Sequence, residues 1–158
     1  MTRKEIIKRY AKKCINDEIP SCVKHKWACG RALKDFQREA NDPYCPYFWD
    51  EEAAELIVSW FKNLRHSKGE LAGQPINLTE WQQFHLCQLY GWKRKKDGRR
   101  RFKKMFIEVS RKNAKSQELA GITLYEISAT STKNSELAEA YTAGVKRDQS
   151  KIVFNEAA

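Results

Sequence analysis

Met105-Phe106-Ile107-Glu108-Val109-Ser110-Arg111-Lys112-Asn113-Ala114-Lys115-Ser116 changes character halfway along. The first five residues are short, mostly apolar and strand-like, of the kind buried in a parallel sheet. Ser110 to Ser116 is polar and cannot extend that strand. From Ser116 to about Ser128, Leu119, Ala120, Ile122, Thr123, Tyr125 and Ile127 return at helical period. Strand, polar loop and helix in that order make the setting of a phosphate-binding loop. There, backbone N–H groups and the helix N-terminus face the phosphates, a Lys reaches the β/γ oxygens, and a Ser/Thr hydroxyl ligates Mg²⁺. Lys115 and Ser116 match the last two roles. The pattern G-x-x-x-x-G-K-[ST] departs at Val109 and Ala114, which stand where glycines are usual.

Downstream, Ser128 to Ser135 reads as a Ser/Thr-rich loop, with room for a helical turn over Asn134 to Ala138. Ala138 to Ala143 is a weak second strand, and Arg147 to Ala157 a final helix with Ile152, Val153 and Phe154 apolar. Upstream, the chain is helical. Glu5 to about Asn16 carries Ile6, Ile7, Tyr10, Cys14 and Ile15 near the 3.6 period, and Pro20 ends it. A second helix runs from an N-cap at Ser21 to about Ala40 with Val23, Trp27, Leu33 and Phe36 inward, closed by Asn41-Asp42-Pro43. Pro43 to Pro46 is a turn. Asp50 caps a third helix with a stripe of Ala53, Ala54, Ile57, Val58, Trp60, Phe61 and Leu64. Thr79 and Gln82 form a capping box for a fourth, carried by Trp81, Phe84, Leu86, Leu89 and Tyr90 to Gly91. The expected organisation is a helical region over 1–92, a basic hairpin or loop over 93–104, and an α/β core over 105–158. Two parallel strands fall short of the four to six that sheets usually have, so the core reads as incomplete, as if the chain were cut short.

At 158 residues and 18.5 kDa the chain has room for about one domain, which excludes a multidomain enzyme. With 41% hydrophobic residues and 5 Trp, 6 Tyr and 7 Phe it can bury a core. No apolar run is long enough for a membrane span and the start is not a signal peptide, so a soluble protein that stays inside its cell is expected. Net charge is +10, and the run from Lys93 to Lys104 supplies +8 of it through Lys93, Arg94, Lys95, Lys96, Arg99, Arg100, Arg101, Lys103 and Lys104 against Asp97. Such a local cluster points to a polyanion such as nucleic acid, and Asp97-Gly98 within it to a tight turn. The alternative is a solvated hairpin tip. Five cysteines without a C-x-x-C read as free thiols. Cys22, His25 and Cys29 would line one helical face and offer three zinc ligands, with Cys14 or Cys45 as a fourth; the competing reading is an ordinary packed face.

Arg111-Lys112-Asn113-Ala114-Lys115-Ser116, preceded by Phe106-Ile107-Glu108-Val109, resembles the variant Walker A segment R-K-N-G-K-S of the large terminase subunits of tailed bacteriophages. Gly69 to Pro75, Leu78-Thr79-Glu80-Trp81-Gln82, Gly91-Trp92, Arg100-Arg101-Phe102 and Tyr141 to Gln149 agree in order, so the resemblance covers about residues 44 to 156. It implies the start of a P-loop NTPase parallel sheet behind an N-terminal helical segment. It also implies an ATP- and Mg²⁺-dependent motor that drives double-stranded viral DNA into a procapsid in the bacterial cytoplasm. Portal, small terminase subunit and ring neighbours would be its partners. Arg111, Lys112, Asn113, Ala114, Lys115 and Ser116 would bind the nucleotide, with Arg111 and Lys115 catalytic, Ser116 on Mg²⁺, and Trp81 and Gln82 near the adenine. Lys146 or Arg147 would act on a neighbour's phosphates. Ala114 in place of glycine would crowd the phosphates. No acidic Walker B strand or nuclease cluster is present, so hydrolysis by this polypeptide alone is not expected. A basic DNA- or protein-binding module without enzymatic activity is the alternative function.

Overall fold

A computed structural model describes residues 1–130, 139–144 and 147–157. Its elements are α1 (Arg3–Ile15), α2 (Val23–Asn41), β1 (Tyr47–Trp49), α3 (Glu51–Asn63), α4 (Glu80–Gly91), β2 (Trp92–Arg94), α5 (Lys115–Tyr125), a π-helical turn (Glu126–Thr130) and α6 (Arg147–Ala157). They fall into two compact units, Met1–Ser59 with Asn77–Met105, and Trp60–Ile76 with Phe106–Ala158.

In the first unit, local chemistry sets the helix starts. Thr2 and Glu5 cap α1 reciprocally, Thr2 N–H donating to Glu5 Oε2 at 2.7 Å and Glu5 N–H to Thr2 Oγ1 at 3.2 Å. Asp50 Oδ1 accepts the Ala53 N–H at 2.9 Å at the start of α3. The Gln82 carbonyl reaches back to the Thr79 N–H at 3.0 Å at the start of α4. Glu51 ties elements together, accepting from the backbone amides of Arg3 and Lys4 and from Trp49 Nε1.

The core centres on Phe36, Trp49 and Trp92, whose ring centroids lie 4.9 to 5.6 Å apart. Each such aromatic pair adds ~0.5–1.5 kcal/mol beyond the area it buries. Trp92 is fully buried and donates its indole N–H to Gln88 Oε1 at 3.1 Å. β1 and β2 pair antiparallel with Trp49 opposite Trp92 and Tyr47 opposite Arg94, so this small ladder fixes the cluster's register. The sequence pattern shows neither strand, because three residues are too few for a period.

On α2 the inward face is Cys29, Ala32 and Phe36; Val23 and Trp27, expected inside, are exposed, Trp27 to 70%. The small side chains at Cys29 and Ala32 suit the close packing of α1 on α2, and Trp27 lies off that face.

In the second unit, α5 packs on α6 and on Trp60 and Phe61. Trp60 Nε1 donates to the Gly121 carbonyl at 3.0 Å, and Trp60 meets Tyr125 edge-on at 5.8 Å. The Phe61 ring lies so close to Gly121 that a Cβ there would stand 2.4 Å from it.

The parallel sheet is not found among the described residues, whose only sheet is β1–β2. Residues 105–110 keep the period-two pattern of extended chain, with Met105, Ile107 and Val109 half-buried and Phe106, Glu108 and Ser110 exposed. They have no ladder partner among the described residues, and a strand is defined by its ladder. Residues 139–144 are exposed and irregular rather than a strand. The expected loop at Ser128 to Ser135 begins inside the π-helical turn, and its remainder, the turn at Asn134 to Ala138, and Lys146 lie outside the described residues. Arg147 opens α6.

Candidate functional site

The backbone at 111–114 is a tight bend, neither helix nor strand. Lys112 and Ala114 sit at φ 67° and 52°, and Asn113 between them stays at negative φ. Left-handed backbone at a non-glycine residue costs on the order of 1 kcal/mol or more and persists where surrounding structure imposes it. Alternation of right- and left-handed residues turns successive amide N–H groups toward a shared concavity suited to an anion. Asn113 holds the bend, its Nδ2 donating to Ser110 Oγ at 2.7 Å and to the Ser110 carbonyl at 3.2 Å. Sequence reading did not foresee that internal role.

Ala114 is the N-cap of α5, and no side chain closes that helix start. In α1, α3 and α4 a side chain serves the helix start, Thr2 Oγ1 accepting the Glu5 N–H, Asp50 Oδ1 the Ala53 N–H and Gln82 Oε1 the Thr79 N–H; α2, which begins after Cys22, shares the open start. An uncapped start presents unsatisfied N–H groups and the positive end of the helix dipole. Lys115 and Ser116 are the first two residues of α5, Lys115 exposed and Ser116 half-buried. Arg111, Lys112, Asn113 and Ala114 are exposed, so these six residues form one accessible bend and helix start. The open amides suit phosphate oxygens, and a first-turn hydroxyl suits a phosphate-bound Mg²⁺.

Trp81 and Gln82 belong to the first unit. Trp81 is half-buried, its ring 5.0 Å from that of His85. Gln82 is buried, and its Oε1 also accepts the Thr79 hydroxyl at 2.8 Å.

The basic run forms a hairpin tip. Arg94 N–H donates to the Arg99 carbonyl at 2.9 Å, Gly98 turns at φ 66°, and Asp97 Oδ1 accepts the Arg99 N–H at 3.0 Å. That backbone hydrogen bond, with the charges of Arg94 and Arg99, holds the Asp97 carboxyl below its ordinary pKa. Three of the arginines have partners inside the protein. Arg94 pairs with Asp97 at 2.6 Å, Arg100 stacks over Tyr90 at 4.9 Å, and Arg101 pairs with Asp35 at 3.0 Å while lying over Tyr47 at 4.3 Å. Lys95, Lys96 and Arg99 are exposed at the tip, and Lys93 is half-buried on the strand.

Of the cysteine candidates, Cys22 is exposed at the N-cap of α2, while Cys14 of α1 joins His25 and Cys29, their ligand atoms all within 4.8 Å of one another. Helical spacing within α2 cannot reveal a partner that α1 brings. Burial pushes the Cys29 thiol up to about 12, with Cys14 adding to the effect. Burial, and secondarily the charge of His85, lowers the His25 pKa.

Residues 80–158 match the family described as terminase large subunit, ATPase domain. That span is half of the 158-residue chain and contains the hairpin, the 111–114 bend and α5, and the protein belongs to this family. No curated protein and no solved structure matches the chain. No described helix is long and apolar enough to cross a membrane.

Proposed function

We propose that the chain binds ATP with Mg²⁺ on the bend at 110–116, as part of a motor that packages double-stranded viral DNA. The observation that carries this reading is the uncapped start of α5, fed by left-handed Ala114 and followed at once by Lys115 and Ser116. Lys115 would neutralise the β/γ-phosphates, Arg111 would add a second positive charge on the triphosphate, and the Lys112–Ala114 amides would receive phosphate oxygens. Asn113 would hold the bend in shape. Ser116 would ligate Mg²⁺, which supplies charge neutralisation between the phosphates. In this reading, which rests there on the family alone, Trp81 and Gln82 would be the residues near the adenine. Residues 105–110 would be the first strand of a parallel sheet behind the bend.

At the hairpin, Lys95, Lys96 and Arg99 would carry DNA contact, with Lys93, Arg94, Arg100 and Arg101 shaping the strands beneath. Each neutralised phosphate would add ~0.9 to the slope of log affinity against log salt. Portal, small terminase subunit and ring neighbours in a bacterial host cytoplasm complete this reading, which rests there on the family alone.

The deciding experiment titrates a fluorescent ATP analogue with Mg²⁺ into wild type and Lys115→Ala. A saturable signal in wild type that weakens at least about tenfold in the variant is expected, since a charge-assisted contact contributes ~1.5–3 kcal/mol. Equal titrations, or no signal in either, would overturn the assignment.

A further inference from the structure

Among the described residues, one group of soft and borderline metal donors is gathered outside the nucleotide-binding bend: Cys14, His25 and Cys29. Both cysteines are fully buried, and His25 is half-buried, leaving one side of the group open to solvent. Tyr10 completes the surroundings, its hydroxyl 3.0 Å from His25 Nε2. We propose that Cys14, His25 and Cys29 hold a Zn²⁺ ion that staples α1 to α2, with Tyr10 as the positioning residue that fixes the imidazole.

The donor chemistry favours Zn²⁺: two thiols with an imidazole are the commonest partners of a tetrahedral zinc, and hard cations such as Mg²⁺ and Ca²⁺ prefer oxygen. Ligand atoms up to 4.8 Å apart need to close by about 1 Å to reach the spacing set by Zn–S of ~2.3 Å and Zn–N of ~2.0 Å, a movement side-chain torsions can supply. Metal-bound imidazoles usually have an oxygen partner on the other ring nitrogen, the place Tyr10 Oη takes when Nδ1 coordinates. Binding replaces two S–H bonds with two Zn–S bonds and releases both protons to solvent, so the charge of Zn²⁺ is balanced by two thiolates. The fourth position is left to water.

The test uses the full chain, purified without chelator and kept reduced, first by metal analysis and then by titration with Co²⁺ alone. One metal per chain and an intense thiolate-to-cobalt charge-transfer band are expected. The band should fall by about half in Cys14→Ser or Cys29→Ser and keep its intensity in Cys22→Ser. Tyr10→Phe should weaken Co²⁺ binding about 10- to 100-fold while retaining the band, as loss of an outer partner does. Should the serine variants fail to fold, wild type alone decides, because Zn²⁺ must then raise the thermal midpoint where Mg²⁺ does not. No stoichiometric metal, no charge-transfer band or no thermal shift would mean packed thiols only, and a band lost in Cys22→Ser would mean that Cys22 is a ligand; each would overturn the site.

Discussion

The aromatic centre of the first unit and the bend of the second are built by opposite means. Around Phe36, Trp49 and Trp92, large side chains interlock, and even Gly91 is demanded by shape, since a Cβ there would meet the Trp49 ring at 2.8 Å. At 111–114 the side chains are exposed, and the structure resides in backbone dihedrals and the hydrogen bonds of Asn113. Burial stabilises the first region. The second keeps amides exposed, which burial would have consumed, and its left-handed residues carry a conformational cost. The difference separates positions where substitution should change stability from positions where it should change binding.

Four measurements would sharpen or break that contrast. Trp92→Ala should be the most damaging, lowering unfolding free energy by ~3–5 kcal/mol in chemical denaturation, as removal of a fully buried aromatic does. A loss below about 1 kcal/mol would mean the cluster is not the centre of that unit. Gly121→Ala should cost ~1–3 kcal/mol, because Phe61 stands 2.4 Å from the added methyl and must shift. In the bend the sign reverses: Ala114→Gly, at φ 52°, should stabilise by up to about 1 kcal/mol and leave nucleotide affinity equal or higher. A destabilised variant would show that Ala114 is not held left-handed.

The gentlest effect is on pH. Burial pushes the Cys87 thiol from 9.0 up to about 12. A folded-state pKa above the unfolded one means that the unfolded chain loses its proton first. This contribution is therefore complete below pH 9.0 and declines as pH rises toward about 12. His25 acts from the other side: its lowered pKa leaves stability intact above 6.5 and erodes it as pH falls below. Denaturation midpoints across pH, with Cys87→Ala flattening the alkaline limb, would check the sign.

What could be read from the sequence was local. Thr79 and Gln82 mark the α4 start because a cap depends on residues three apart, and Asp97-Gly98 marks the turn because glycine readily takes the φ of 66° found there. The order loop, Lys115, Ser116, helix was legible for the same reason. What failed was long-range. Trp27 has the hydrophobicity of a core residue, yet the face that meets α1 is chosen by Cys29 and Ala32. Cys14 is separated from Cys29 by a whole helix connection, so spacing favoured Cys22 instead. Residues 105–109 have a strand's composition and alternation, but pairing needs a neighbour that no local pattern encodes. In the site, left-handed Lys112 and Ala114 were hidden because neither residue type advertises positive φ.

The discontinuity of the first unit bears on how this protein can be divided. The family match starts at residue 80, the first residue of α4, so all of α4 is covered, yet Trp92 rests on Phe36 and Trp49 from far upstream. An expression fragment beginning at 80 would shed α1, α2, β1 and α3 and leave Phe84, Leu86, Tyr90 and Trp92 bare to water. Such a fragment should aggregate, so the smallest recombinant piece worth preparing keeps the segment before Thr79.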